Sequence, residues 1–219
     1  MQRALLFGVT LSLVACGGEN GRDFGRDDPE VRTPSVTWDP AAYPPPPYGA
    51  RAFSVIEDLQ FAGWLDPVAA GYDPASFERV ALSEFYDPGA ADVRYIYMTV
   101  VEVWCPWCQA IYKHIRDNDV YPAYRAQGVE FFGVLTEDAD RNPAQPGDLV
   151  AWARDRYEVE FPMVIDPAFK TAPYHDSSGT PLNVLIDARD MRILYKLNGV
   201  PGGGGVPELF ATLDAIMGL

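Results

Sequence analysis

The sequence predicts one α/β domain, and three observations lead to this expectation. Short apolar runs alternate with segments of helical spacing along residues 51–219. Apolar residues make up 48% of the 219-residue chain, which is enough for a single core of ordinary size. The first 50 residues differ in composition, and the sequence shows no internal repeat. We therefore expect one folded domain behind an N-terminal extension.

Apolar runs that are rich in β-branched and aromatic residues predict the strands. These runs are 95–103, 129–135, 163–166, 182–186 and 193–197. A short element at 77–85 is expected before them, closed by a turn at Asp87-Pro88-Gly89.

The helices are predicted over 106–127, 146–156 and 207–217. Pro122 removes a hydrogen bond from inside the first helix, so we expect a kink or break after Asp117-Asn118-Asp119. Gly128 is expected to end this helix, because glycine readily adopts the left-handed conformation found at helix C-termini.

The N-terminus has the pattern of an export signal. Arg3 is its only charged side chain, and the apolar stretch that follows is short for a bilayer span and ends at Leu13-Val14-Ala15-Cys16. It resembles a bacterial lipoprotein signal peptide covering residues 1–15, which implies cleavage before Cys16 and lipidation of that cysteine. An ordinary secretory signal containing Cys16 is the alternative. Gly17, in place of aspartate, resembles lipoproteins sent to the outer membrane.

Residues 16–50 are predicted to be a flexible tether between the lipid and the domain at 51–219. The segment is rich in Gly, Asp, Arg and Pro, and it includes Tyr43-Pro44-Pro45-Pro46-Pro47-Tyr48. Such a composition buries little apolar area, and a proline run favours extended polyproline II. A proline-rich ligand for a docking module is the alternative use of this run.

The charge of the chain limits its partners. The formal net charge is −14 at neutral pH, so a nucleic acid or an anionic membrane surface is not an expected partner. The net negative charge itself does not indicate a substrate, because it is typical of soluble proteins.

The strongest chemical signal is the run Trp104-Cys105-Pro106-Trp107-Cys108, at a predicted junction of strand and helix. A cysteine at a helix N-terminus meets free backbone N–H groups and the positive end of the helix dipole, and both favour its thiolate. Pro106 suits the first helical turn, where its missing N–H costs nothing. We therefore interpret Cys105 as a nucleophile and Cys108, one turn later, as the resolving cysteine of a redox-active disulfide.

A static disulfide and half of a metal site are the competing interpretations of this pair. A short loop gains little stability from a disulfide. A zinc site of four cysteine or histidine ligands lacks a second pair at similar spacing, since only His114, His175 and the distant Cys16 remain. We therefore expect neither a metal nor any cofactor beyond the Cys105–Cys108 disulfide.

Two further segments complete a family resemblance. Phe161-Pro162-Met163-Val164-Ile165-Asp166 and Gly179-Thr180-Pro181-Leu182-Asn183-Val184-Leu185-Ile186-Asp187 follow the cysteine motif. Together the three resemble the thioredoxin fold, closest in style to the TlpA/redoxin-like membrane-tethered thiol-disulfide oxidoreductases. The resemblance covers about three quarters of the chain, from Phe53 onward. It implies a central mixed sheet flanked by helices.

The resemblance also implies a site and partners. Pro181 is expected to be cis and to lie against the disulfide, while Thr180 offers its backbone to a substrate peptide. Trp104 and Trp107 are expected to form an apolar platform around the disulfide. Protein thiols and disulfides are the implied substrates, a membrane or envelope redox protein is the implied partner, and a periplasm-facing, lipid-anchored envelope enzyme is the implied setting.

This chain departs from the family pattern at two places. Thioredoxins carry a buried carboxylate six positions before the first cysteine, where this chain has Thr99. Glu102 is a candidate substitute, although strand alternation places it on the opposite face from Thr99. The Pro106-Trp107 pair between the cysteines also differs from the Gly-Pro of thioredoxins. The direction of electron transfer is therefore left open.

The two histidines leave other functions open. His114 is nine positions after Cys105, half a helical turn away, and is expected at the surface. His175 lies six residues before Pro181, a position from which the neighbouring loop could bring it to the cysteines, and this leaves a copper-binding lipoprotein similar to the Sco-type chaperones as an alternative. A peroxidase of the peroxiredoxin type is the other alternative, although such enzymes use a more isolated cysteine.

Overall fold

The structure is a computed structural model that describes residues 43–177 and 179–219. Its strands are β1 (Gln60–Trp64), β2 (Glu78–Ala81), β3 (Tyr95–Glu102), β4 (Val129–Glu137), β5 (Met163–Ile165), β6 (Leu182–Asp187) and β7 (Arg192–Asn198). Its helices are α1 (Pro106–Asp117), α2 (Val120–Arg125), α3 (Pro146–Val150) and α4 (Gly205–Met217), and α3 continues as the π-helical segment Ala151–Arg156.

The strands form one mixed sheet in the order β2-β1-β5-β4-β3-β6-β7. The pairs β3–β4 and β4–β5 are parallel, whereas the remaining neighbours are antiparallel. The predicted α/β class with a central mixed sheet and flanking helices is confirmed. Because β3 and β4 run parallel at the centre, their C-terminal ends meet at one edge of the sheet, next to the start of α1.

The buried residues on the two faces of the sheet come from different kinds of element. On the face that we call the helical face, buried residues of all four helices pack on the sheet, with both cysteines of the motif among them. The buried residues of the other face come from strands, turns and loops, and we call it the helix-free face. Alternate side chains of β3 point to opposite faces. Tyr97 and Val101 pack on the helical face, and Met98 and Val100 pack on the helix-free face.

The predicted break in the first helix is confirmed. α1 ends at Asp117 and α2 begins at Val120, with Asp119 between them in a left-handed conformation at φ +50°. Pro122 lies in the first turn of α2, where its missing N–H removes no helical hydrogen bond. Gly128 has φ +79° and precedes β4 directly, as expected of a residue that ends a helix.

β1 was not predicted from the sequence. Its residues include Ala62 and Gly63, which are poor strand formers, so the segment lacks the usual strand signal. Gly63 is needed for packing, because a Cβ there would overlap the backbone of Met163 and Val164 on β5. The predicted element at 77–85 proves to be β2 followed by a 3-10 turn, Leu82–Phe85.

The chain packs on the domain from Tyr43 onward, before the predicted tether boundary at residue 50. Tyr43 is only 4% exposed within the helix-free face, and its hydroxyl donates to Ile56 O at 2.9 Å. Gly49 N donates to Val55 O at 2.9 Å, and Phe53 N donates to Ile193 O on β7 at 2.7 Å. The end of the predicted tether is therefore part of the domain. The predicted signal 1–15, Cys16 and the rest of the tether lie outside the described residues.

Over the described part of the chain, no helix combines the length and the apolar character that a bilayer crossing requires.

Candidate active site

Cys105 caps the N-terminus of α1. Its backbone is extended at φ −80° and ψ 118°, its sulfur accepts the N–H of Cys108 at 3.2 Å, and Pro106 takes the first helical position. The Cys108 thiol lies beside this sulfur, and its hydrogen bond lowers the pKa of Cys105 to about 7 against the opposing effect of burial. The predicted helix-terminal thiolate thus has the surroundings that its ionisation requires.

Cys108 lies beneath Cys105 and is fully buried. Burial raises its pKa, and the hydrogen bond to Cys105 and the nearby charge of Glu102 raise it further. Both cysteines are free thiols in this structure. The motif therefore places a thiol that ionises readily, Cys105, in contact with a thiol that stays protonated, Cys108.

Glu102 reaches the buried cysteine. Cys108 Sγ lies 3.5 Å from Glu102 Oε2, which also accepts the hydroxyl of Thr180, and Thr136 Oγ1 donates to Oε1 at 3.4 Å. Burial raises the pKa of Glu102, while these hydrogen bonds partly oppose the shift. The carboxyl group therefore connects the ends of β3 and β4, the start of α1 and the loop before β6.

Glu102 contacts Cys108 although strict strand alternation places it on the opposite face from Thr99. The pairing of β3 with β4 is regular up to Val101 and Leu135, and then Glu102 pairs with Glu137, skipping Thr136. A register shift of this kind re-aims the side chains next to it. Strict alternation therefore ends at this shift.

The Thr180–Pro181 bond is cis and lies against the cysteines, as the resemblance implied. Thr180 O is 3.7 Å from Cys105 Sγ, and Thr180 Oγ1 is 3.5 Å from Cys108 Sγ. Thr180 thus contacts the site with its hydroxyl as well as with the backbone that the resemblance assigned to substrate binding.

The two tryptophans of the motif have different surroundings. Trp104 donates from Nε1 to Glu137 Oε2 at 2.6 Å, and the guanidinium of Arg141 lies 3.8 Å above the centre of its ring. Trp107 is 51% exposed at the rim of the site. Trp104 is therefore held in position as part of the predicted apolar platform, whereas Trp107 presents apolar surface to solvent.

The histidines lie away from this cluster. The Asn198 side-chain amide donates to His175 Nδ1 at 3.0 Å, and His114 stacks on Phe210 with ring centres 5.2 Å apart. Among the described residues, the one group of cysteine, histidine and carboxylate side chains close enough to share a metal ion is Glu102, Cys105 and Cys108. His175 is therefore not part of that group.

Sequence reasoning missed Thr136 and the hydroxyl role of Thr180. Thr136 follows a fully buried apolar stretch of β4, and a polar residue at the C-terminal end of a central parallel strand is the signal that could have identified it. No comparable sequence signal identifies Glu137 and Arg141, which contact Trp104, because their contacts depend on the path of the loop after β4.

No model of a known protein family matches the chain. Part of it is similar to Thiol-disulfide oxidoreductase ResA of Bacillus cereus, at 29% identity over 97 residues, or 44% of this chain and 51% of that protein. The chain thus matches about half the length of this curated relative.

Solved structures show the fold. A Chlorobium tepidum protein assigned as thiol:disulfide interchange protein DsbE matches with a TM-score of 0.55 and 19% identity, over 76% of this chain and 98% of that one. The thioredoxin domain of a thiol-disulfide oxidoreductase from Bacteroides vulgatus matches with a TM-score of 0.52 and 16% identity, over 75% of this chain and 96% of that one. The chain has the thioredoxin-like fold that its motifs predicted.

Proposed function

We propose that this thioredoxin-fold chain is a thiol-disulfide oxidoreductase whose redox group is the Cys105–Cys108 pair itself, with no further cofactor. The observation that carries the proposal is the position of Cys105. Its sulfur sits at a helix N-terminus, accepts a backbone N–H and has a pKa lowered to about 7, while Cys108 lies ready beneath it. The similarity to ResA supports the same activity.

In the reductive direction, the Cys105 thiolate attacks one sulfur of a substrate disulfide. A new S–S bond forms to Cys105, the substrate S–S bond breaks, and one substrate sulfur leaves as a thiolate that takes a proton from solvent. Cys105 is only 1% exposed. The substrate must therefore be presented closely, along the Thr180 backbone and the exposed ring of Trp107.

Resolution then requires a thiolate at Cys108. Glu102 is placed to take the Cys108 proton, since the thiol lies 3.5 Å from its Oε2 atom. Cys108 attacks Cys105, the mixed disulfide breaks, and the second substrate sulfur leaves and is protonated. Two electrons pass from the pair to the substrate, which leaves a Cys105–Cys108 disulfide that a partner dithiol must reduce. Oxidation of a substrate dithiol follows the same steps in reverse.

Protein thiols and disulfides are the proposed substrates, because the Thr180 carbonyl lies beside Cys105 Sγ and the exposed Trp107 ring offers apolar contact area at the rim. A membrane or envelope redox protein is the proposed partner. The export signal at 1–15 and Cys16 support a lipid-anchored, periplasm-facing location in the bacterial envelope. Loss of lipid labelling in a Cys16→Ala variant is the expected check of that location.

The alternatives receive less support. A copper site of two cysteines and a histidine lacks its histidine, because His175 contacts Asn198 and lies outside the cysteine cluster. A peroxidase of the peroxiredoxin type is disfavoured, because Cys105 has a resolving cysteine in contact with it.

The activity is tested by disulfide reduction and by the reduction potential. We expect the wild-type chain to catalyse insulin reduction by dithiothreitol, and Cys105→Ser to reduce that rate to background. Equilibration in glutathione or dithiothreitol buffers, followed by tryptophan fluorescence, gives the potential. A value near about −270 mV indicates a reductant and one near about −120 mV an oxidant, on the scale of about 30 mV per 1.4 kcal/mol. If no reversible couple is found, the proposal is wrong.

A further inference from the structure

We infer that the reduced Cys105–Cys108 pair and Glu102 form a binding site for a single Zn²⁺ ion. The two sulfurs and a carboxylate oxygen lie within 4.8 Å of one another, and all three residues are buried. Cysteines and histidines alone do not account for this site. The third ligand is a carboxylate that the register shift at the end of β3 directs to the cysteines.

The spacing of these atoms matches a zinc site. Zn–S bonds of about 2.3 Å and Zn–O bonds of about 2.0 Å at a tetrahedral angle separate sulfur and oxygen by about 3.5 Å. Cys108 Sγ and Glu102 Oε2 are 3.5 Å apart. Cys108 Sγ and Glu102 Oε2 are therefore already spaced like two ligands of a tetrahedral zinc ion, and Cys105 Sγ is near enough to be the third.

The surrounding hydrogen bonds hold the ligands in place. Thr136 donates to Oε1 of Glu102, so the other oxygen is the one turned to the sulfur. The backbone N–H of Cys108 fixes Cys105 Sγ, and the Thr180 hydroxyl donates to Glu102 Oε2 and lies 3.5 Å from Cys108 Sγ. Partners of this kind orient metal ligands and raise affinity. The fourth position is left to water.

The donor set selects the ion. Two thiolates exclude Mg²⁺ and Ca²⁺, which require oxygen ligands, and the carboxylate favours Zn²⁺ over the softer Cu(I). Both cysteines bind as thiolates, so the protons that the two thiols still carry pass to the buffer when the ion binds. The oxidised pair has no thiolate to offer. Binding is therefore confined to the reduced protein.

This inference rests on the proposed function for its consequence. An ion held by Cys105 and Cys108 occupies the nucleophile and the resolving sulfur together. Zinc would thus inhibit disulfide exchange reversibly and protect the reduced pair from oxidation.

The test is a Zn²⁺ titration of the reduced full-length chain, carrying Cys16→Ser so that no third thiol contributes. Competition with a chromogenic chelator measures affinity and stoichiometry. We expect one ion per reduced chain, none after oxidation, and an affinity at least about tenfold weaker in Glu102→Gln. Glu130→Gln is the matched control: it changes another buried glutamate of the central strands, at the opposite end of the β3–β4 pair from Glu102, and should bind zinc as the parent does.

Two results would overturn the site. One is the absence of one-to-one binding by the reduced parent. The other is an unchanged affinity in Glu102→Gln, which would show a dithiol adduct without a carboxylate ligand. Co²⁺ in place of Zn²⁺ provides a readout of geometry, since thiolate-to-cobalt charge-transfer bands with tetrahedral d–d bands are expected in the parent. Glu102→Asp, a conservative variant that keeps the carboxylate, should bind more tightly than Glu102→Gln.

The same samples separate this inference from the proposed function. A reversible couple measured in the presence of chelator, without zinc binding to the reduced chain, would reject the site alone. Zinc binding without a reversible couple would reject the oxidoreductase proposal and leave the metal site standing.

Discussion

The helical and helix-free faces of the sheet bury comparable apolar clusters but differ in their polar content. The helical face contains both cysteines, the Tyr97 hydroxyl bound to Asn183 at 2.6 Å, and Thr99, whose buried hydroxyl has no hydrogen-bond partner within the described structure. The buried cluster of the helix-free face contains neither cysteine of the motif, and Tyr43 packs into it. We infer that one face is built for reactivity and the other for stability.

The largest expected effect comes from neighbouring residues of β4 that point to opposite faces. Phe132 packs against Phe61 and Phe85 on the helix-free face, and Phe131 packs against Tyr97 and Phe210 on the helical face. Phe132→Ala and Phe131→Ala should each lower the free energy of unfolding by about 3–5 kcal/mol, because each leaves a cavity in a closed core. Chemical denaturation measures the loss.

The reduction potential then separates the two variants. Phe132→Ala should leave it unchanged, since Phe132 packs on the face of the sheet opposite α1. Phe131→Ala should shift it, because the ring supports the packing of α4 and Tyr97 below the cysteines. Equal potentials in the two variants would remove the functional distinction between the faces.

Glu102→Gln should slow the resolution of a mixed disulfide by about 10²-fold, the lower end of what a positioned general base contributes. The measurement is a single-turnover reaction of the reduced chain with a disulfide peptide, followed by tryptophan fluorescence. Glu130→Gln, at the opposite end of the β3–β4 pair, should react at the wild-type rate of resolution. An unchanged rate in Glu102→Gln would mean that Cys108 loses its proton to another group.

The same variant should be more stable than wild type at neutral pH. Burial raises the folded-state pKa of Glu102 above its unfolded value, so this residue stabilises the fold below the unfolded pKa, and that contribution is lost as the pH rises through the folded pKa. The amide that replaces the carboxyl group in Glu102→Gln does not ionise. The stability of this variant relative to wild type should therefore increase between about pH 3 and pH 7, as measured by thermal denaturation across that range.

Cys105 should be alkylated with a pH midpoint near its lowered pKa of about 7. Its thiolate fraction rises as the pH rises through that value, whereas a free cysteine ionises near about 8.5. The rate of iodoacetamide modification between about pH 5 and about pH 10 gives the midpoint. Cys108→Ala removes the thiol that donates to Cys105 and should move the midpoint upward. A midpoint that stays in place would assign the shift to the helix terminus alone.

The smallest expected effect concerns the N-terminal segment. Tyr43→Phe removes the buried hydrogen bond to Ile56 O and should cost about 0.5–1.5 kcal/mol in the free energy of unfolding. Tyr48→Phe is the control, since its hydroxyl contacts Pro44 O at an exposed position and its loss should have little effect. If Tyr43→Phe unfolds like wild type, the hydrogen bond to Ile56 O contributes nothing to stability.

The sequence predicts the elements of this fold wherever apolar periodicity or a strong local signal marks them. The break before α2 followed from Pro122, and the pairing of Cys105 with the start of α1 followed from the strand-to-helix junction. β1 was missed because its glycine is selected by contact with β5, and that contact joins residues far apart in the chain.

The cysteines of the active site and the candidate carboxylate Glu102 were identified from the sequence, but the orientation of that carboxylate was not. Local spacing identified Cys105, Cys108 and the Thr180–Pro181 segment. The orientation of Glu102 depends on one skipped residue, Thr136, in the pairing of β3 and β4, and a period of two residues predicts the opposite side. His175 was a candidate from its separation along the chain alone, and the amide of Asn198 engages it instead.

The packing of Tyr43 has a mechanical consequence. A force applied to the chain before this residue would act first on its buried ring and then on the hydrogen bonds that join Phe53 and Ser54 to Ile193. The load would therefore enter the sheet at its β7 edge and on the face opposite the cysteines. Helix α1, which sets the ionisation of Cys105, lies off this force path, so tension on the N-terminal segment would leave the reactive sulfur undisturbed.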